Sequence, residues 1–486
     1  MKSKIFFRAD GNSNMGLGHI IRSSALCRML NNTFECILLT RCSIPWVLEL
    51  AGKTYHEIIR LPEEDFEEEA KKISARVGAK DIVLLDGYDF KTAYQQSIKA
   101  SQAILVCIDD IHAYPFLADC IINHSGGISK TDYNAPPYCQ FFLGPSFSLI
   151  GLPFQEAAKR RKNIDLESRR CLICLGGADP GNQTLAVLKQ LAEKRLFDKY
   201  EIIVGSGYVY KSLLVEEIKR NGYSATVHHA VSPEEMIIVM EQCPFAVCAP
   251  STVAYEYMSV GGVLFLHQIA DNQKDVIRFM IAEKLAFPLE QITQVSPDEC
   301  RQAVSKQALY FDGLSAERFT KLFQNFLLLR DLQVRAALPD DLQVTFEWAN
   351  DKLVREQSYS RNAITIATHT KWFLEKIQDS RCRYFILENN GMPVGQIRFD
   401  IENGKATLGY LVAPGERNKG LGPVILALGI KQLMKVVKDC NEIVGFVKNT
   451  NIASQKAFER FSFIKTNAVE YPDSVKYTLF YGNNSQ

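Results

Sequence analysis

The sequence is short of several features, and each shortage narrows what the chain can do. No uncharged stretch approaches the length that crosses a bilayer, so no membrane-spanning helix and no membrane partner are expected. The apolar run in Met1-Lys2-Ser3-Lys4-Ile5-Phe6-Phe7-Arg8 is too short for a secretory signal, and a cytoplasmic location is expected. Neither sign of charge is in excess. The 56 Lys plus Arg stand against 55 Asp plus Glu for a net of +1, and without a long basic block nucleic acid is not an expected partner. No long-period repeat, low-complexity tract or metal-ligand spacing is present, so no metal is expected. Cysteine is not scarce, but the 13 residues are scattered and odd in number, which fits reduced thiols better than a disulfide framework. Cys171-Leu172-Ile173-Cys174 lies inside an apolar run with no second pair and reads as buried strand cysteine.

What remains is an ordinary soluble composition, 47% hydrophobic and 23% charged. At 486 residues the chain is too long for one core. Apolar runs at Ile5–Phe7, Cys36–Leu39, Ile82–Leu85, Ile104–Ile108 and Cys120–Ile122 alternate with helix-length segments, which predicts a parallel, doubly wound sheet. The runs end in Asp10, Thr40-Arg41, Asp86-Gly87-Tyr88, Asp109-Asp110 and Asn123-His124. Polar strand ends either meet solvent or line the crevice where open α/β sheets bind ligands.

The first of these turns, Asp10-Gly11-Asn12-Ser13-Asn14-Met15-Gly16-Leu17-Gly18-His19, precedes an amphipathic pattern through Ile20, Ile21, Ala25, Leu26, Met29 and Leu30. It is strand, glycine loop, helix, with free N–H groups and a positive helix end suited to an anion. Two readings fit: a connecting turn with a surface histidine, or a site in which His19 does acid–base work. A dinucleotide fingerprint is excluded, since its third glycine would fall at Ile21.

The basic stretch Lys159-Arg160-Arg161-Lys162-Asn163 reads as a solvated linker to a second alternating block. That block has runs at Cys171–Leu175, Ile202–Val204, Phe245–Ala249 and Val263–Leu266. Gly176-Gly177 lets backbone approach a diphosphate, Ser251 or Thr252 would cap the following helix, and Glu256 one turn inside can accept ribose hydroxyls. Residues from about 290 to 330 read as helical, ending in Phe326–Arg330. A third unit begins near Val334 and centres on the strand Ala406–Val412, the loop Arg417-x-x-Gly420-x-Gly422 and a helix with Pro423 in its first turn. The divisions expected are 1–155, 165–330 and 334–482.

The third unit resembles the GNAT acetyltransferases. Their R/Q-x-x-G-x-G/A loop matches Arg417 to Gly422, and their later N-x-x-S element matches Asn451 and Ser454. The resemblance implies acetyl-CoA as cosubstrate, held by Val412, Arg417, Asn418, Lys419, Gly420, Leu421, Gly422, Asn451 and Ser454. It departs at Phe458, where the family often has the tyrosine that protonates the leaving thiolate; Tyr410, Tyr471 and Tyr477 are the alternatives. Asp400 or Glu402 could take the amine proton through water, or be plain exposed strand residues.

The first 290 or so residues resemble the nucleotide-sugar hydrolases of pseudaminic acid biosynthesis. The matching segments are Arg8-Ala9-Asp10, Gly16-Leu17-Gly18-His19 with Arg22, Gly176-Gly177-Ala178-Asp179, Ser251-Thr252 with Glu256, and Asn272-Gln273. Pro250 stands where that family more often has glycine. The resemblance implies a GT-B fold, two Rossmann-like domains facing a cleft, followed here by the α/β GNAT domain. It also implies a UDP-activated amino sugar as substrate and His19 as general base on water. Gly16, Gly18, Gly176, Gly177, Ser251, Thr252 and Glu256 would bind the nucleotide; Asp10, Arg22, Asp86, Tyr88, Asn272 and Gln273 would orient the substrate. In that pathway acetylation of the 4-amino group immediately precedes loss of UDP, so the two resemblances imply consecutive steps in one chain, with flagellin or a surface polysaccharide as the family's final target. The competing readings are a GT-B glycosyltransferase with an appended acetyltransferase, and a GNAT domain that only binds ligand.

Overall fold

A computed structural model of the chain describes residues 2–11, 17–270 and 273–481. The first α/β run comprises β1 (Lys4–Ala9), α1 (Gly18–Leu30), β2 (Glu35–Thr40), α2 (Pro45–Gly52), β3 (Glu57–Arg60), α3 (Phe66–Arg76), β4 (Ile82–Asp86), α4 (Thr92–Ala100), β5 (Ile104–Ile108), β6 (Cys120–Asn123) and β7 (Gln140–Leu143). The second comprises α5 (Leu152–Lys159), β8 (Arg170–Cys174), α6 (Gln183–Glu193), β9 (Lys199–Val204), α7 (Lys211–Asn221), β10 (Ala225–His229), α8 (Pro233–Glu241), β11 (Phe245–Cys248), α9 (Thr252–Val260), β12 (Val263–Leu266), α10 (Lys274–Ala282), β13 (Phe287–Pro288) and α11 (Pro297–Tyr310). Helix α12 (Ser315–Asp331) runs straight into β14 (Leu332–Ala336), followed by α13 (Leu342–Asn350), α14 (Lys352–Gln357), α15 (Ile366–Gln378), β15 (Cys382–Asn389), β16 (Met392–Glu402), β17 (Lys405–Val412), α16 (Leu421–Val436), β18 (Glu442–Lys448), α17 (Ile452–Phe458), β19 (Ile464–Asn467) and β20 (Ser474–Phe480). Among the described residues no helix is long and apolar enough to cross a membrane.

Two compact units result. One holds Met1–Pro62, Asn123–Ser129 and Leu143–Thr320; the other holds Glu63–Ile122, Lys130–Phe142 and Lys321–Gln486.

In the first unit, β1, β2 and β3 pair in parallel. The second run forms a parallel sheet in the order β10-β9-β8-β11-β12-β13, which winds outward in both directions from β8 as Rossmann-like sheets do. Its central strands β8 (from Cys171), β11 and β12 are continuous apolar runs rather than alternating ones, as strands buried on both faces are. Cys171 and Cys174 sit in β8, at most 3% exposed, and all 13 cysteines are buried free thiols.

One expectation is corrected here. The basic stretch after α5 is not simply solvated. Arg161 folds inward, and its Nε donates to the Ser259 carbonyl (2.8 Å) while Nη2 donates to those of Met258 (2.6 Å) and Phe311 (2.8 Å). Met258 and Ser259 belong to the last turn of α9, whose carbonyls have no intrahelical donor and favour a cation.

In the second unit, β4, β5 and β6 pair in parallel. The C-terminal sheet runs β14-β15-β16-β17-β18-β20-β19, antiparallel except for β17 beside β18. Its core joins Leu408, Ile425, Ile430, Ile443, Phe458 and Tyr477, with Leu328 and Leu329 of α12 packed on it. A buried carboxylate, Asp119, accepts from Lys99 (2.6 Å), the Leu105 amide (2.9 Å) and Lys431 of α16 (3.4 Å). Burial alone would raise its pKa, but the two ammonium groups outweigh this and hold it below the usual carboxylate value. The Phe141 amide also donates to the Arg460 carbonyl at 2.7 Å.

Replacing Arg161 by methionine keeps the apolar stem and strands three carbonyls. The expected loss is about 2–4 kcal/mol of unfolding free energy, read as a lower denaturant midpoint. A midpoint equal to wild type would return this stretch to the status of a linker.

Candidate functional site

Three strand–loop–helix junctions carry the residues singled out from the sequence. At the first, Arg8 is fully buried and its Nη2 lies 2.7 Å from Asp10 Oδ2. Asp10 Oδ1 accepts from Thr40 Oγ1 (3.1 Å) and the Arg41 amide (2.6 Å). Burial opposes ionisation of Asp10, yet Arg8 and the two donors from β2 hold its pKa below the ordinary value. Oδ1 thus ties the end of β1 to β2, while Oδ2 pairs with Arg8 of β1 itself. Asp10, expected from the sequence to orient the substrate, also shapes the turn. Gly16 lies outside the described residues; Gly18 opens α1 with open space on its Cβ side. The helix starts without a side-chain cap and without an acid in its first turn.

His19 is 5% exposed, so it is not a surface residue. One turn on, Arg22 Nη2 donates to His19 Nδ1 at 3.0 Å. Guanidinium only donates, so Nδ1 is the acceptor in this contact.

In the other unit, at the carboxyl ends of β4 and β5, Asp86 is fully buried and Tyr88 Oη donates to Asp110 Oδ2 at 3.4 Å. Asp109 accepts from the His112 amide (2.8 Å) and Tyr133 Oη (3.0 Å), and burial raises its pKa despite these donors. His112 sits at φ +39. Neither His112 nor Tyr133 stood out in the sequence. His112 follows the aspartate pair by two residues, but Tyr133 is distant and carries no local signal.

At the second junction Gly176 has φ +98, and neither Gly176 nor Gly177 has an atom within 4 Å of its Cβ position. Their backbone is open to a ligand. Behind it, a Cβ on Gly205 would lie 2.5 Å from the Gly177 carbonyl oxygen, so glycine at 205 lets the two loops touch. Asp179 accepts from the amides of Gln183 (2.9 Å) and Thr184 (2.7 Å) and so caps α6. Ser251 occupies the N-cap position of α9, but its side chain makes no capping bond, contrary to expectation, and Thr252 begins the helix. Glu256 is half-buried, and desolvation pushes its pKa up to about 8. Gln273 Oε1 accepts from the amides of Ile269 (3.0 Å) and Ala270 (3.2 Å), folding its own loop; Asn272 lies outside the described residues. Among the described residues no three His, Cys, Asp or Glu side chains converge as metal ligands would.

At the third junction β17 pairs with β18 only from Lys405–Leu408 to Glu442–Gly445. Past Leu408 the strands part, and Gly409 to Val412 keep only β16 as neighbour. The loop then passes through Asn418 (φ +64) and Gly420 (φ +81) into α16, whose first turn has neither a side-chain cap nor an acid. Asn325 of α12 stands against the Cβ side of Gly420. Leu421 is buried at the helix start, and Pro423 costs no hydrogen bond there. Two side chains expected at the cofactor have partners within the protein. Arg417 pairs with Asp351 at 2.6 Å, and Asn451 Oδ1 accepts from the Ser454 amide at 3.1 Å to cap α17. Lys419 pairs with Glu416 at 2.9 Å. Asp400, opposite Thr407, is bound by Lys376 (2.6 Å) and Arg398 (3.0 Å), and Glu402 opposes Lys405 still farther from the parted strands. Neither is poised as a base.

Residues 331–464 match the family model of the acetyltransferase (GNAT) domain. An uncharacterized protein of Methanocaldococcus jannaschii is 22% identical over 484 residues, 95% of this chain and 97% of that one. The UDP-2,4-diacetamido-2,4,6-trideoxy-β-L-altropyranose hydrolase of Campylobacter jejuni is 28% identical over 203 residues, 40% of this chain and 67% of that one. Among solved structures, spermidine N-acetyltransferase from Vibrio cholerae, in complex with CoA and spermine, is 17% identical with a TM-score of 0.29, covering 31% of this chain and 95% of that one. The chain joins an N-terminal part homologous to a nucleotide-sugar hydrolase to a C-terminal GNAT domain.

The loop geometry separates two glycines. At Gly420 any Cβ meets Asn325 in a left-handed conformation, costing about 1–2 kcal/mol, so Gly420→Ala is expected to lower the melting temperature. At Gly422 a Cβ meets only Ala457 Cβ and Tyr410 Oη, each at 3.6 Å, and Gly422→Ala should keep the wild-type melting temperature. Thermal melts check both; a wild-type melting temperature for Gly420→Ala would show that the loop needs no glycine there.

Proposed function

We propose that the chain carries out two consecutive steps on one UDP-activated amino sugar. The domain spanning 334–482 transfers acetyl from acetyl-CoA to the 4-amino group. The domains spanning 1–155 and 165–330 then hydrolyse the UDP–sugar bond of UDP-2,4-diacetamido-2,4,6-trideoxy-β-L-altrose, as in pseudaminic acid biosynthesis. The observation that carries this reading is the buried His19, held by Arg22 at an uncapped helix start, in a chain that also contains a GNAT loop.

In the hydrolase half, the diphosphate takes the open backbone at Gly176 and Gly177 and the free amides at the start of α9, with Ser251 and Thr252 beside them. Glu256 holds the ribose. His19 is the general base that takes a proton from the water attacking the sugar C1. In the resting protein its lone pair at Nδ1 is occupied by Arg22. The diphosphate draws that guanidinium away, which frees the ring to accept a proton. In the acetyltransferase half, amides of Asn418 to Gly422 hold the pyrophosphate, and the unpaired edge of Gly409 to Val412 aligns the pantetheine arm.

The deciding experiment is mass analysis of the full chain with the UDP-4-amino sugar, with and without acetyl-CoA. UDP and a free diacetamido sugar are expected only when acetyl-CoA is present. Acetyl-CoA consumed with UDP retained would point to a glycosyltransferase that needs an acceptor. His19→Ala should abolish UDP release while acetylation continues; near-normal UDP release by that variant would falsify the base assignment.

Glu256 supplies an independent check. With a pKa of about 8 its carboxyl is mainly protonated at neutral pH. Ribose hydroxyls donate to the ionised form and lower that value on binding. UDP binding at pH 7 should therefore release about one proton, and the release should vanish well above the free-state pKa and in Glu256→Gln. Calorimetry in buffers of different ionisation enthalpy reads the count, and proton uptake would rule out the ribose contact.

A further inference from the structure

Phe458 is 1% exposed and stacks on Tyr477 with ring centroids 4.8 Å apart. Its Cζ, where a tyrosine would carry the hydroxyl, lies 2.5 Å from the position a Cβ on Gly445 would take. Gly445 is the last residue of β18 paired with β17. The ring tip therefore plugs the point where the two strands part, and no hydroxyl is presented from it. Tyr477 is fully buried and donates to Glu459 at 3.2 Å. Tyr471 stacks on Tyr359 with centroids 3.9 Å apart, in the turn between β19 and β20. Both are committed elsewhere.

Tyr410 differs from them. It lies on β17 two residues past the last pair with β18, on the same strand face as Leu408. Its ring meets Phe458 edge-on at 6.1 Å. Its Oη is 3.0 Å from Ser454 Oγ and 3.6 Å from the Cβ position of Gly422. The hydroxyl thus stands between the first turn of α16 and Ser454, beside the backbone edge that the parted strands leave open. Burial pushes its pKa up to about 12, against which Ser454 acts, so the phenol is protonated at neutral pH.

We propose that Tyr410 is the proton donor to the leaving group of acetyl transfer, with Ser454 as the residue that positions and reprotonates it. This rests on the acetyltransferase reading of the C-terminal domain. As the amine nitrogen bonds to the acetyl carbon, the carbon–sulfur bond breaks and its electron pair leaves on sulfur. The Tyr410 Oη proton passes to sulfur and completes the thiol of coenzyme A. Ser454 Oγ–H returns a proton to the phenolate, and the proton shed by the amine reaches Ser454 through water. One proton leaves nitrogen and one arrives on sulfur, with no other reactant consumed.

The test compares the full chain with its Tyr410→Phe and Ser454→Ala variants. For Tyr410→Phe, kcat for coenzyme A release should fall about 100-fold, with KM for acetyl-CoA within about threefold of wild type. Ser454→Ala should lose about tenfold in kcat. The second readout needs coenzyme A alone: ultraviolet titration of its bound thiolate. Losing the phenol donor should raise the thiol pKa by about one unit in Tyr410→Phe. A raised KM with unchanged kcat, or an unchanged thiol titration, overturns the proposal. Failure of the wild type to acetylate the amino sugar would instead overturn the functional reading, because the titration decides on Tyr410 without any amine.

Discussion

The first turn of an α-helix has four amide N–H groups and no carbonyls to receive them. In this chain that deficit is closed by side chains at some helices and left open at others. Helices α8 and α11 close it with Ser–Glu capping boxes built from Ser232 with Glu235 and Ser296 with Glu299. Helices α1, α9 and α16 do not: each starts without a side-chain cap and without an acid in its first turn. A parallel strand delivers the chain to such a start from inside the core, so the donors sit at the sheet's edge with the strand's polar end beside them. One arrangement thus recurs in two chemically different settings, the nucleotide-sugar half and the GNAT half.

Much of this was legible in the sequence because it is local. Buried parallel strands show as unbroken apolar runs, and the run through Cys171 and Cys174 became β8 where expected. Glycine-bearing turns after such runs pointed to all three junctions, and the positive φ at Gly176 and Gly420 gives the reason for glycine there. The partnerships were not legible, because they join residues far apart in the chain. Asp10 read only as a ligand group, and its bonds to Arg8, Thr40 and Arg41 had no local signal. Arg161 looked like linker charge, yet three carbonyls from around α9 and Phe311 enclose it. Arg417 matched its motif by type, while its guanidinium reaches Asp351, 66 positions earlier.

Phe458 illustrates how a motif can be kept in form and changed in chemistry. The residue four positions after Ser454 keeps an aromatic ring because the core needs one: it fills the space over Gly445 between Tyr410 and Tyr477. What the ring lacks is a polar tip, and its tip faces backbone rather than the opening between the strands. Packing and proton chemistry, combined in one side chain in the family pattern, are divided here between two.

The buried Asp119 has a consequence for how such a chain can be taken apart. Its charge is balanced by one lysine from α4 and one from α16, so a carboxylate of the first α/β run relies on the GNAT helix for half of its neutralisation. Leu328 and Leu329, on the helix that precedes the GNAT strands, are likewise part of the GNAT core. A cut at the boundary that the sequence suggests would leave a half-compensated carboxylate in one fragment and a bared apolar seam in the other. The GNAT domain and the strands around Asp119 therefore share buried charge and apolar core, and neither can be excised at that boundary without rebuilding the surface left behind.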